Sequence, residues 1–125
     1  MEENNGYCFT RIRENIYQIA DDKSVCCTLV KGKDLAILVD TGYGVRNLRA
    51  FVEQNVTTPY IVFNSHGHPD HIGGNNRFDE VYAVKEEWDV IDHFEKIPGG
   101  RTYVLREIKV GDELDLGGLH AEIVS

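Results

Sequence analysis

Three of the chain's five histidines fall within six residues, with an aspartate among them: His66, His68, Asp70 and His71. A shuffled chain of this composition shows the pattern only about six times in ten thousand, so the cluster is a specific signal. His66 and His68 are two residues apart, and on an extended segment both imidazoles face the same way and can share one metal ion. Gly67 has no side chain to crowd them, and Pro69 stiffens the turn. Asp70 and His71 then leave that line together and can serve a second ion nearby. Imidazole and carboxylate donors suit Zn2+, one or two ions, with Fe, Mn, Co or Ni also possible. Two ions about 3.5–4 Å apart can hold a hydroxide between them and brace a carbonyl or phosphoryl oxygen. A catalytic zinc also lowers the pKa of its water to about 7, which supplies a nucleophile at neutral pH.

Other chemistry-bearing residues are less telling. Asp40 ends an apolar run, where its carboxylate could either cap a loop or accept a hydrogen bond that orients the histidine segment. His93 and His120 read as ordinary surface or satisfied core histidines. Gly73-Gly74 permits close packing at a helix start, since no Lys-Ser/Thr follows to suit a phosphate. Cys8, Cys26 and Cys27 are odd in number and lack Cys-x-x-Cys spacing, so they read as reduced structural thiols of a cytoplasmic protein.

The elements that must position the cluster follow from periodicity. Residues 9–13, 16–20 and 25–31 are strand-like, and 32–34 carry turn residues. Residues 35–39 (LAILV) form a continuous apolar run, as in a strand buried on both faces. An Asp-Thr-Gly-Tyr-Gly loop follows, then a helix over 45–55 from the spacing of Val45, Leu48, Phe51 and Val52. Residues 60–63 form a short strand that delivers the chain into the histidine segment. A strand over 81–84, a helix over 85–94 and strands over 102–105, 108–110, 113–116 and 119–124 complete the pattern. This order predicts an α/β (α+β) arrangement, a mixed sheet with helices on one face.

Composition bounds the rest. The chain has 125 residues, 42% hydrophobic and 27% charged, with a net charge of −8, which is one ordinary globular domain by length. The acidic balance disfavours nucleic acid and anionic membranes as partners, because binding there rests on Lys and Arg. Phosphodiesters stay open if metal ions supply local positive charge. No apolar run approaches the roughly 18 residues that span a bilayer, and the acidic start MEENNGYCF does not read as a secretory signal.

The sequence resembles the metallo-β-lactamase-fold hydrolase superfamily. The likeness rests on His66-Gly67-His68-Pro69-Asp70-His71-Ile72-Gly73-Gly74, preceded by Leu35-Ala36-Ile37-Leu38-Val39-Asp40-Thr41-Gly42. It implies that His66 and His68 bind a first metal, that Asp70 and His71 bind a second, and that Asp70 also hydrogen-bonds the attacking water. It implies a small-molecule substrate with an ester, thioester, lactam or phosphodiester bond. The family's iron oxidoreductase branch has Glu where this chain has His68, which disfavours that branch. The family fold is a four-layer α/β/β/α sandwich of two similar halves, and residues 1–125 match the N-terminal portion, stopping before the C-terminal half. The third histidine of the first metal, the bridging aspartate and the last histidine of the second metal have no counterpart here. Two expectations follow. Each ion receives only two protein ligands, so affinity falls and the chain by itself is weakly active or inactive, or serves as a non-catalytic metal-binding or interaction module. One sheet face is left uncovered, and a homodimer packed through it is expected.

Overall fold

The computed structural model describes residues 7–20, 26–43, 47–95 and 101–124. Seven strands form one sheet in simple sequence order: β1 (Cys8–Arg13), β2 (Ile16–Ala20), β3 (Cys26–Lys31), β4 (Ala36–Val39), β5 (Tyr60–Phe63), β6 (Glu80–Ala83) and β7 (Val104–Glu107). The first four strands pair antiparallel in succession. From β4 onward the pairing is parallel, because each connection is then a crossover long enough to carry helix. The crossovers hold α1 (Leu48–Asn55), the short α2 (Pro69–Ile72) with a 3₁₀ turn at Asn75–Arg77, and α3 (Lys85–Phe94). A separate hairpin of β8 (Glu113–Asp115) and β9 (His120–Glu122) docks on the β3–β4 turn, where Asp34 N donates to Leu116 O at 2.8 Å.

The helices share one face of the sheet. Leu48, Phe51 and Val52 of α1 are fully buried against Ile19, Leu29, Leu38, Val62 and Val81. Ile91 of α3 packs with Ile72, Trp88, Leu105 and Ala83, and Ala83 lies on the same side of β6 as Val81. The other face carries two rows of cross-strand neighbours, Val30–Ile37–Ile61 and Val39–Phe63–Tyr82. All of these are apolar or aromatic; Ile37 is buried and the remaining five are half-buried.

Where elements depart from the periodicity, local hydrogen bonds are the reason. The first helix starts at Leu48, because the Asn47 side chain caps it by accepting from Ala50 N at 3.1 Å; Val45 lies outside the described residues. β6 and β7 sit a residue or two away from their expected places. Thr102 is held by Asn76, its backbone N donating to Oδ1 at 2.8 Å, so pairing begins only at Val104. The strand expected over 108–110 is absent. Its last residues enter a turn in which Asp112 N donates to Lys109 O (3.0 Å) and Lys109 N to Asp112 Oδ2 (2.8 Å), with Gly111 at φ 96°. Cys27 is buried and Cys8 exposed. Among the described residues no helix is long and apolar enough to cross a membrane.

Candidate metal centre

The histidine segment lies at the carboxyl ends of the parallel strands, where open α/β sheets gather their ligands. β4 ends at Val39 and hands the chain to Asp40, and β5 ends at Phe63 and hands it to Asn64. Residues 64–68 lead into α2, whose first residue is Pro69 and whose N-cap, His68, has extended backbone angles. Proline suits that position, since its missing N–H would have no intrahelical partner. The expected stiff turn is thus the start of a helix, and it places Asp70 and His71 in the first turn.

Asp40 anchors the segment. It adopts a left-handed backbone (φ 70°) and is 6% exposed. Its Oδ1 accepts from Ser65 N at 2.7 Å, and its Oδ2 accepts from Ser65 Oγ at 2.6 Å and from His71 Nδ1 at 2.9 Å. One carboxylate thus bonds both the Ser65 loop and a histidine ring. A hydrogen on Nδ1 leaves the Nε2 lone pair of a neutral His71 free for a cation. Further bonds fasten the segment to the 41–43 loop: Thr41 N donates to His71 O (2.9 Å) and Gly73 N to Gly42 O (2.7 Å). A side chain at Gly73 would strike the Tyr43 carbonyl at 2.3 Å, and one at Gly74 the Thr41 carbonyl at 2.6 Å. Close backbone approach is thus why both are glycine, at the end of α2 and just ahead of the 3₁₀ turn.

Beneath the segment runs a buried polar network that periodicity gives no hint of. Asn64 and Asn75 exchange side-chain hydrogen bonds, 3.1 Å from Asn64 Nδ2 to Asn75 Oδ1 and 2.7 Å from Asn75 Nδ2 to Asn64 Oδ1. Thr41 Oγ1 donates to Asn75 Oδ1 at 2.8 Å, and Asn75 Nδ2 donates to Tyr103 Oη at 3.2 Å. Tyr103 in turn donates to Glu95, which accepts from Arg101 Nε at 2.8 Å. Burial, with the Glu95 carboxylate beside it, pushes the Tyr103 hydroxyl above the ordinary tyrosine range. The only local clue to this network is an asparagine directly after two glycines.

The four candidate donors are not equally close. The rings of His66 and His71 meet edge to face with centroids 5.1 Å apart. His71 Nε2 lies 3.6 Å from Asp70 Oδ1, close to the ~3.4 Å that separates two ligands on a tetrahedral zinc with bonds near 2.1 Å. His68 is 6.3 Å from His66, centroid to centroid, and 5.3 Å from the ring of Phe94. Among the described residues no three His, Cys, Asp or Glu side chains converge on one point closely enough to hold an ion. Imidazole and carboxylate donors suit a divalent cation, and Asp70 and His71 lie at a spacing that two ligands of one ion can share. His93 and His120 stand apart as exposed residues, His93 against Phe94 and His120 beside Glu113 and Asp115.

A sheet that is parallel in its second half, helices on one face and a histidine–aspartate bend at the strand tips are the features that class this fold. The chain belongs to the metallo-beta-lactamase superfamily, whose family model matches residues 20–124. It is 36% identical over 93 residues to a hydroxyacylglutathione hydrolase of Hyphomonas neptunium (strain ATCC 15444), an alignment covering 74% of this chain and 34% of that protein. Among solved structures it resembles a metallo-beta-lactamase from Pontibacter korlensis, with a TM-score of 0.71 and 18% identity over 91% of this chain and 58% of the other. It likewise resembles a class B3 di-zinc metallo-beta-lactamase from an Alaskan soil metagenome, with a TM-score of 0.67 and 19% identity, covering 99% and 55%. The chain therefore spans about a third of the curated relative and little more than half of these structural relatives.

Proposed function

We propose that the chain supplies the His66–His71 portion of a metal-dependent hydrolase centre, with His66 and His68 serving one ion and Asp70 and His71 a second. The observation that carries this reading is the Asp40–His71 hydrogen bond, which fixes one ring face with its free nitrogen 3.6 Å from the Asp70 carboxylate. A bound divalent cation, zinc first, supplies Lewis acidity that makes water nucleophilic at neutral pH and polarises a carbonyl. The protein's own part is then positional. Asp70 accepts a hydrogen bond from the attacking water and aligns it, Asp40 keeps His71 in the required tautomer, and the Asn64–Asn75 pair holds the floor rigid. Among an ester, thioester, lactam or phosphodiester, the thioester ranks first, because the named curated relative acts on an acylated glutathione. The substrate is a small molecule, the acidic charge disfavours nucleic acid without excluding it, no membrane is involved, and the compartment is the cytoplasm. Residues 1–125 constitute the N-terminal portion of the full metallo-β-lactamase-like domain. The half-buried sheet face bearing Ile61 and Phe63 seats a second copy of the chain.

A second reading is favoured by one observation. No three donors converge among the described residues, which suits a chain that binds metal without turning substrate over. Zinc-dependent hydrolysis of a chromogenic thioester, compared with a β-lactam and a bis-phosphodiester, separates the two readings. Turnover abolished by chelation and by Asp70→Asn supports the hydrolase. Zinc uptake without turnover supports the binding module. Unchanged zinc uptake in His66→Ala/His68→Ala refutes the proposed ligands.

A further inference from the structure

Helix α3 touches the histidine bend along one stripe. Glu87, Ile91 and Phe94 are spaced i, i+4 and i+7, which places them on a single helix face. In the first turn, Glu87 Oε1 accepts from the backbone N of Gly67 at 2.9 Å; Gly67 is buried and Glu87 half-buried. In the middle, the helix lies so close that a β-carbon on Gly67 would come within 2.6 Å of Ile91 N and 2.9 Å of Val90 Cβ. In the last turn, the Phe94 ring packs on His68. Gly67 is the residue between the two histidines, and its N–H belongs to the peptide that joins it to His66. A carboxylate on that N–H fixes the peptide plane between His66 and Gly67, and so sets how the two rings diverge.

We propose that Glu87 is a positioning residue for the metal-binding bend: through Gly67 it sets the spacing of His66 and His68 without ligating the ion itself. This rests on the metal-dependent reading above. Groups that hold ligands in place typically change metal affinity by roughly 10- to 100-fold when removed.

The test uses the 125-residue chain, with Co2+ as a visible probe and zinc affinity measured by competition with a chromophoric chelator. Glu87→Ala weakens cobalt and zinc binding by about 10-fold or more and alters the cobalt d–d band. It also speeds amide exchange at Gly67, while far-UV circular dichroism stays native. Glu87→Gln keeps an acceptor oxygen and restores binding to within about twofold. Glu86→Ala removes the same charge from the same turn and leaves affinity and band unchanged. If Glu87→Ala does not fold, Glu87→Asp withdraws the carboxylate by one methylene and shows the same loss. Binding by Glu87→Ala, or by Glu87→Asp in its place, with the unmodified chain's affinity and band overturns the proposal alone. Failure of the unmodified chain to take up cobalt or zinc overturns the metal reading and the positioning proposal together.

Discussion

At the scale of single residues, Asp40 concentrates the most structure in one side chain. It accepts three hydrogen bonds, two from Ser65 and one from His71, and it does so from a left-handed backbone that Asn and Asp tolerate better than other non-glycine residues. Asp40→Ala therefore removes a cap, frees a ring and strains the chain at once. Leaving buried donors unsatisfied costs about 1–3 kcal/mol each, so a denaturant midpoint falls clearly. Zinc affinity falls by roughly 10- to 100-fold in the same variant. Asp40→Asn keeps the shape and an acceptor oxygen and recovers most of the stability but less of the affinity. Equal affinities in all three proteins would show that His71 is oriented by something else. The role of Asp40 was half legible in the sequence, because a polar residue that closes an apolar strand must satisfy its carboxylate nearby. Which groups it reaches, 25 and 31 residues away, depends on how β4 and β5 align.

At the scale of elements, β4, β5, α3 and the bend were readable because continuous apolar runs, a 3.6-residue period and a dense histidine cluster are each local signals. The strands after α3 were harder, since their short alternations compete with turns. The 108–110 segment looks like a strand in isolation and is diverted by the carboxylate of Asp112. Contacts of long range were not legible at all. Glu87 reaches Gly67 across 20 residues, and nothing in KEEW marks one glutamate from its neighbour. The packing of α3 on Gly67 makes a sharp prediction. Gly67→Ala forces the helix away from the bend, because the obstacle is backbone rather than a movable side-chain tip. Overpacking of this kind costs about 1–3 kcal/mol, read as a lowered melting temperature, with the Phe94–His68 contact loosened. A second element-scale prediction concerns pH. Burial, with Glu53 beside it, raises Tyr60, and burial, with Glu95 beside it, raises Tyr103. A raised tyrosine favours the native state fully below the unfolded value of about 10 and loses that contribution as pH climbs above it. Melting temperature should thus decline past about pH 10, and Tyr103→Phe should flatten the decline. An undiminished slope in that variant would remove Tyr103 from the account.

At the scale of the whole molecule, the two faces of the sheet are unequal. One is covered by α1 and α3, and the other presents Val30, Val39, Ile61, Phe63 and Tyr82 half-buried. Contiguous apolar surface of more than a few hundred Å2 marks an association site. Multi-angle light scattering is expected to give twice the 14.2 kDa chain mass, and Ile61→Glu is expected to return the monomer by burying an unpaired charge. A monodisperse 14.2 kDa species at high concentration would retire the dimer.

The seam between β5 and β6 has a consequence of its own. These strands pair at one register position, Phe63 with Tyr82, and Asn64 N donates to Tyr82 O beside it at 2.8 Å. A cleft of about 390 Å3, lined by Tyr60, Ile61, Phe78 and Glu80 among others, opens next to this single rung. The seam is consequently the most thinly bonded line of the sheet, and local opening is expected to begin there. The histidine bend lies in the connection from β5 to β6 and α3 follows β6, so opening of this seam would strain the Glu87–Gly67 hydrogen bond. All four candidate donors lie on the bend itself, so a cation that ordered the bend would brace the seam through the Glu87–Gly67 hydrogen bond. Deuterium uptake at the Asn64 amide should slow on adding zinc, while the amide of Leu38, bounded by strands on both sides, should scarcely change.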